Sequence, residues 1–213
     1  MWQTFLYYAV LTFEAVLGAF GIRLYEETSY EVVSRIGERI EIRRYAQRVA
    51  VQITLPFAGR ASRNEAFQIL FAYIAGANSS DLSRSGNMAM TVPVKVSSSE
   101  RVAMTVPVQS SETDGEVFMQ FFLPTKFTID RAPKPLDGRV RLVERETETI
   151  ASLRFSGSGH DFAAREAELI DSLSGTGWAP VGKPFSLFYD APFTLPFVRR
   201  NEAAVSVVKT AHR

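Results

Sequence analysis

The sequence repeats itself at long range, and this repeat restricts the fold more than any other feature. A shift of 101 residues superimposes Ala50 on Ala151, Glu65-Ala66 on Glu166-Ala167, Ile69 on Ile170, and Gly76 on Gly177. Each half then has two strands, a Gly-containing loop, a helix and further strands. The repeat predicts an α+β fold with pseudo-two-fold symmetry, in which the helices of two duplicated halves pack on a curved, mostly antiparallel sheet. Two such sheets facing each other would form a barrel or an open sandwich with a cleft.

A second, local repeat lies inside the first half. The hexapeptide Ala-Met-Thr-Val-Pro-Val occurs at Ala89–Val94 and again at Ala103–Val108. Its β-branched core is typical of a short strand, while proline, which lacks an N–H, excludes it from the middle of a fully paired strand. The pattern predicts a hairpin with Ser97–Arg101 at its tip.

Two segments have the apolar spacing of amphipathic helices. The first runs from Ser62 to Ala75, with Ser62 as N-cap, Glu65 completing a capping box and Gly76 as the stop. The second runs from about Asp161 to Leu173. Alternating residues predict a hairpin around Gly37 and strands over most of the remaining chain; these strands are Glu31–Arg35, Arg39–Tyr45, Val49–Leu55, Val117–Leu123, Val140–Arg145, Ile150–Phe155, Phe185–Tyr189 and Ala203–Val208.

Residues 1–22 differ from the domain at 23–213 because they are almost entirely apolar. A helix of this length can cross a hydrocarbon core about 30 Å thick, although Glu14 lies near its midpoint. The stretch predicts an apolar N-terminal helix that serves as a membrane anchor or lies on a membrane surface; a helix docked on the fold and a cleaved signal are the alternatives. Arg23 favours a cytoplasmic body. We therefore expect a cytoplasmic protein, attached to the inner membrane if the helix is an anchor.

Composition excludes several classes of function. The 213 residues contain no cysteine, which rules out thiolate ligands and cysteine nucleophiles, and the net charge of +1 gives no basis for nucleic-acid binding. No phosphate-binding loop, Ser-His-Asp arrangement or metal-ligand cluster is recognisable. The sequence therefore predicts a protein that is not an enzyme.

Several motifs occur in the order found in one known family. They are the two hexapeptides, Phe121-Phe122-Leu123-Pro124, Phe155-Ser156-Gly157 and Arg199-Arg200-Asn201-Glu202. From about Tyr30 to Val208 the chain resembles the SOUL/haem-binding protein family. The resemblance implies a distorted antiparallel β-barrel that is flanked by two helices and built from two βαββ-like halves. It also implies non-enzymatic binding of haem or another tetrapyrrole, for buffering or transport.

A porphyrin needs an apolar groove with basic residues at its rim. Along the first helix the candidates are Phe57, Phe67, Phe71 and Met88 for the groove and Arg60 and Arg63 for the propionates. An aromatic stripe at helical spacing is also typical of a core, and the two arginines could simply be solvated.

Axial ligands for the iron are few. His160 is a candidate in the loop before the second helix, and Tyr45, Tyr73 and the methionines Met88, Met90 and Met104 are weaker ones. Some family members carry a histidine where this chain has Arg44. We therefore expect haem to be held without a strong axial ligand. Arg199, Arg200 and Glu202 are expected to serve the fold by pairing with charged neighbours.

An alternative function fits the apolar leader and the missing strand histidine. It is a membrane-associated scaffold that binds another apolar ligand or a protein partner. Chemistry on a tetrapyrrole, such as metal removal, ranks below both.

Overall fold

A computed structural model describes residues 26–79, 99–158, 161–190 and 194–210. These residues form thirteen strands and two helices. In chain order they are β1 (Glu26–Glu27), β2 (Glu31–Ile36), β3 (Ile40–Tyr45), β4 (Arg48–Pro56), α1 (Arg60–Ile74), β5 (Asn78–Ser79), β6 (Thr105–Val106), β7 (Val108–Thr113), β8 (Glu116–Phe122), β9 (Lys134–Pro135), β10 (Arg141–Arg145), β11 (Glu148–Ser156), α2 (Phe162–Ser172), β12 (Trp178–Phe188) and β13 (Arg200–Lys209).

The predicted α+β class with two helices and mostly antiparallel strands is confirmed. The chain divides into two compact units. Unit 1 holds the described residues of 26–46, 106–109 and 147–210, and unit 2 holds those of 47–105 and 110–146.

In unit 2 the strands follow the order β10-β4-β8-β7. Helix α1 packs on β4 and β8 and buries Ala66, Leu70, Tyr73 and Ile74. The helical spacing of these residues is the physical reason that the segment is a helix, because it places them all on the side that faces the sheet.

In unit 1 the order is β12-β13-β11-β3-β2. One sheet face forms a core with α2, to which the helix contributes Phe162, Leu169 and Leu173. The other face carries a second buried cluster that includes Tyr45 and Tyr189.

Corresponding strand pairs in the two units share one register. Val143 of β10 lies opposite Ala50 of β4, and Ile42 of β3 lies opposite Ala151 of β11. A shift of 101 residues superimposes β3 on β10 and β4 on β11, as the repeat predicts.

The helices follow a different offset from the strands. Leu70 of α1 and Leu169 of α2 hold equivalent buried positions, as do Ile74 and Leu173, and these pairs lie 99 residues apart. The alignment of Glu65-Ala66 with Glu166-Ala167 therefore does not match equivalent positions of the two helices, since Ala66 is buried and Ala167 is exposed.

The predicted β-barrel is not closed. Among the described strands, β2 is hydrogen-bonded only to β3 and β10 only to β4, so each unit has an open sheet edge. Charged residues lie on both edge strands, such as Glu31 and Arg35 on β2, and β2 is also irregular between Val32 and Ser34. Edge charges and bulges oppose further strand pairing.

The hexapeptide at Ala103–Val108 does not form one continuous strand. Thr105–Val106 is β6, which pairs with β1, and Val108 begins β7. The Thr105 hydroxyl donates to the Phe122 carbonyl oxygen, and the Val106 carbonyl accepts from the Thr28 N–H at 2.8 Å. The copy at Ala89–Val94, and with it the predicted hairpin, lies outside the described residues.

The apolar stretch at residues 1–22 also lies outside the described part of the chain. Within that part, neither helix has the length and apolar character needed to cross a membrane.

The predicted start of α1 is wrong and its end is confirmed. The helix begins at Arg60 after Gly59, and the Ser62 hydroxyl donates to the Pro56 carbonyl oxygen at 3.3 Å instead of capping the helix. At the other end Gly76 has φ of +118°, the conformation that ends a helix and that glycine adopts most easily.

Candidate functional site

Four of the predicted site residues share one side of α1. Arg60, Arg63, Phe67 and Phe71 follow one another at intervals of three or four residues, which places them in one stripe along the helix. Phe71 is 48% exposed, and its ring stacks on that of half-buried Phe67 with centroids 6.0 Å apart and planes 15° apart. The structure therefore brings the predicted aromatic and basic groups together. We call these four residues the α1 stripe.

Phe67 connects the stripe to the sheet. Its ring centroid lies 5.4 Å from that of buried Phe121 on β8. One end of the Phe67–Phe71 stack is therefore fixed by the core, while Phe71 remains open to solvent.

Phe57 stands just before the stripe, in the turn between β4 and α1. It is 81% exposed and has φ of +65°, a left-handed conformation that is costly for an aromatic residue. Its neighbours hold it there, because Pro56 pairs with Glu116 and the Ala58 N–H donates to the Gly115 carbonyl oxygen at 2.8 Å. The turn thus presents a large apolar ring to solvent in a fixed position.

The charge at this end of α1 favours anions. Arg60 is exposed, no acidic residue occupies the first turn, and Gly59 provides no side-chain cap. The partial positive charge of a helix N-terminus adds to that of the arginines. Arg63 Nε lies 3.1 Å from Glu112 Oε1.

The candidate axial ligands among the described residues are buried or half-buried. The Tyr73 hydroxyl is buried and donates to the Pro133 carbonyl oxygen at 2.7 Å, and burial together with the Glu100 charge raises its pKa, so the phenolate form is unfavourable. Tyr45 is buried as well, and Met104 is half-buried in the segment before β6. Met88, Met90 and His160 lie outside the described residues.

Arg44, which stands where some relatives have histidine, is exposed on β3. Its Nη1 lies 3.4 Å from Glu31 Oε2. The position therefore points to solvent in this protein and carries an ordinary cross-strand ion pair.

A pocket of about 240 Å³ lies on the opposite side of α1 and contains none of the stripe residues, although Tyr73 contributes to its wall. It is lined in part by Glu65, Ile69, Asp137 and Val140. Arg139 pairs with both carboxylates, at 3.2 Å from Glu65 and 2.8 Å from Asp137. The volume of this pocket is below the roughly 300–1,000 Å³ of typical ligand pockets.

The most extensive buried polar cluster of unit 1 surrounds Glu202 of β13, which is fully buried. Its carboxylate accepts hydrogen bonds from Arg43 at 2.5 and 3.1 Å, Ser152 at 2.7 Å, Tyr189 at 2.8 Å and Arg200 at 2.8 Å. Burial alone would raise the pKa of Glu202, but the hydrogen bonds and charges of Arg43 and Arg200 prevail and lower it to about 2.

Arg200 extends this cluster to β1. Its Nη2 lies 3.1 Å from Glu27 Oε1, and its guanidinium carbon lies 3.7 Å from the Tyr189 ring centroid. The expectation that Arg200 and Glu202 pair with charged neighbours is confirmed. Arg199 instead donates to the carbonyl oxygen of Thr194 at 2.6 Å. The partner Arg43 could not be named from the sequence, because only the strand order brings it to Glu202.

Comparison with known proteins gives a family match over nearly all of the described chain. The family model described as "SOUL heme-binding protein" matches residues 25–206. The chain is 30% identical over 140 residues to Heme-binding protein 1 of Bos taurus, covering 65% of this chain and 66% of the relative. It is 29% identical to Heme-binding protein 1 of Sus scrofa over the same length, covering 65% of this chain and 67% of that protein. The match thus spans about two thirds of these relatives.

Solved structures share the fold at low sequence identity. The C-terminal domain of EcmrR matches with a TM-score of 0.55 and 9% identity, covering 85% of this chain and 99% of the domain. An uncharacterized conserved protein from Listeria innocua matches with a TM-score of 0.52 and 14% identity, covering 80% of this chain and 92% of that one. A hydrolase from the same organism has a TM-score of 0.50 and 13% identity, covering 80% and 92%. At these identities the likeness shows a common fold and nothing about activity.

Proposed function

We propose that this chain, which belongs to the SOUL haem-binding protein family, binds haem or a related tetrapyrrole. The binding face is the α1 stripe together with Phe57. The observation that supports this location is the combination of two arginines and the stacked Phe67–Phe71 pair on one side of α1, with exposed Phe57 just before the helix.

The chemistry of the face matches that of a porphyrin. The ring system is a flat apolar disc, and Phe57 and the stacked Phe67–Phe71 pair offer aromatic surface for it. Aromatic pairs in offset or tilted contact contribute about 0.5–1.5 kcal/mol each beyond buried area. Arg60 and Arg63 can each donate two parallel hydrogen bonds to a propionate.

Haem, when bound, would supply an iron centre able to take axial ligands. The residues of the face are aromatic and guanidinium groups, which hold and orient a disc but move no proton. We therefore propose a role in buffering or transport, without catalysis. Because Phe57 and Phe71 are open to solvent, the ligand would stay accessible for transfer to another protein.

A hemin titration of the full-length protein tests this proposal. We expect a saturable Soret change at low micromolar hemin. The double variant Phe57→Ala/Phe71→Ala should bind at least about tenfold more weakly, equivalent to about 1.4 kcal/mol. Phe197→Ala is the matched control, because Phe197 is 73% exposed and lies in unit 1. The absence of a saturable change in the wild type would refute haem binding, and wild-type affinity of the double variant would refute the location.

Axial ligation is tested by Met88→Ala and His160→Ala. Since we propose that aromatic contact and charge pairing hold haem, each variant should keep the Soret maximum and the affinity of the wild type. A shifted maximum in either variant would identify that residue as a ligand and contradict the proposal.

Membrane attachment through residues 1–22 remains a separate proposal. Its motivation is the apolar composition of the stretch. Fractionation of cells that express the chain with and without these residues is the test, and a soluble full-length protein would refute the anchor.

A further inference from the structure

The basic end of the α1 stripe contains one carboxylate of the protein itself. Glu112 of β7 places Oε1 3.1 Å from Arg63 Nε. Glu112 is thus an acid directed at a residue of the proposed binding face.

The ion pair is accessible from solvent. The Arg63 side chain is 41% exposed and that of Glu112 is 37% exposed. Exposed ion pairs are weak, because water solvates both partners and the side chains lose freedom on pairing. A carboxylate of a ligand can therefore replace Glu112 at Arg63 without disturbing the buried core.

Arg60 and Arg63 differ in this respect. Among the described residues no ion pair to Arg60 is found, and α1 has no acid in its first turn. A ligand with one carboxylate could therefore use Arg60 without displacing an ion pair between described residues. A ligand with two carboxylates needs Arg63 as well, and there it meets Glu112.

We propose that Glu112 occupies the second carboxylate position of the binding face in the free protein, and that a tetrapyrrole carboxylate displaces it from Arg63. This inference rests on the proposed function. Binding is then an exchange of one carboxylate for another on the same guanidinium, so Glu112 lowers the affinity for tetrapyrroles with two carboxylates. It affects esterified tetrapyrroles little.

The test compares Glu112→Gln with a matched control on the same helix. Glu65 is also an acid paired with an arginine, since its Oε1 lies 3.2 Å from Arg139 Nη1, but it faces the opposite side of α1. Glu65→Gln therefore makes the same change of net charge without touching the stripe. Urea unfolding of both variants establishes that they fold like the wild type.

Each protein is titrated with hemin and with hemin whose propionates are methyl esters, in the same detergent. We expect Glu112→Gln to bind hemin at least about threefold more tightly than the wild type, and to bind the ester with wild-type affinity. Glu65→Gln should match the wild type for both. In the double variant Arg63→Gln/Glu112→Gln the gain should disappear, because the guanidinium that the ligand would take over is gone.

The inference and the proposed function fail in different ways. If the wild type shows no saturable hemin binding, the proposed function is wrong. If the wild type binds hemin but Glu112→Gln binds it equally or more weakly, the exchange is refuted. An equal gain in Glu65→Gln, or an equal gain with the ester, would also refute it, since either result indicates a general charge effect.

Discussion

Arg43 and Glu202 form a two-point ion pair inside unit 1, reaching across the intervening strand β11. Arg43 Nη1 lies 2.5 Å from Glu202 Oε2 and Nη2 lies 3.1 Å from Oε1. The two side chains are 3% and 0% exposed. Such a pair adds little net stability over an apolar pair, because both charges lose their hydration, but each partner is essential once the other is buried.

The first prediction concerns this pair. Arg43→Met should destabilise the protein by about 3–5 kcal/mol, since it leaves Glu202 with an uncompensated buried charge. Urea unfolding measures the effect. The neighbouring Arg44→Met should change stability by less than about 1 kcal/mol because Arg44 is exposed. The double variant Arg43→Met/Glu202→Met should recover much of the loss, and a loss equal to or larger than that of Arg43→Met would contradict the explanation.

The second prediction concerns acid pH. The pKa of Glu202 is lowered to about 2 in the folded protein, while an unfolded glutamate titrates near pH 4.3. The unfolded state therefore binds the proton more readily. The lowered pKa of Glu202 therefore stabilises the folded protein by on the order of 3 kcal/mol at neutral pH. This contribution is complete above about pH 5 and is lost as the pH falls towards 2. Urea unfolding at pH 7, 5, 4 and 3 should show this decline.

The Asp137 carboxylate provides the control for the acid effect. Its pKa is also lowered to about 2, by the hydrogen bonds and charge of Arg139, but the pair is exposed and screened. Asp137→Asn should leave the pH dependence nearly unchanged. A large flattening in Asp137→Asn would assign the acid sensitivity to the surface and not to Glu202.

The third prediction separates a structural role of Tyr73 from iron ligation. Tyr73→Phe removes the hydrogen bond to the Pro133 carbonyl and leaves that oxygen without its donor, which should cost about 1–3 kcal/mol of stability. The Soret maximum and hemin affinity should stay as in the wild type. A changed Soret spectrum would show that Tyr73 reaches the iron.

The fourth prediction concerns the left-handed backbone of Phe57. Phe57→Gly relieves the strain of φ +65° and should stabilise the protein by about 0.5–1 kcal/mol, although hemin binding should weaken. Ala58→Gly, which has no such strain to relieve, should destabilise it by about 0.5–1 kcal/mol. Loss of stability in Phe57→Gly would mean that the ring makes stabilising contacts.

Local patterns in the sequence were sufficient for the elements that depend on them. Alternation predicts the β2–β3 hairpin around Gly37, which has φ of +60° in the turn, and helical spacing predicts the part of the stripe from Arg63 to Phe71. Both patterns follow from the geometry of one segment and of the face that it buries.

Long-range features were less predictable. The predicted start of α1 at Ser62 was wrong because the Ser62 hydroxyl donates to the Pro56 carbonyl oxygen, which lies before the helix. Glu112 as the partner of Arg63, and Arg43 as that of Glu202, depend on strands that are distant in sequence. That the predicted barrel is not closed was unpredictable for the same reason, because no local pattern specifies which strands remain at the edges of a sheet.

The discontinuity of unit 1 has a consequence for the order of events during synthesis. Unit 2 is almost one continuous stretch, whereas β3 of unit 1 must wait for β11, since Ile42 pairs with Ala151 about 109 residues later. At roughly 5–20 residues per second, a ribosome needs about 5–20 s to supply that partner. Unit 2 is synthesised during this interval, and Arg43 lacks its buried partner even when Ala151 has been made, because Glu202 is made still later. Strands β11 and β13, which are synthesised late, therefore complete the sheet of unit 1 to which β2 and β3 already belong.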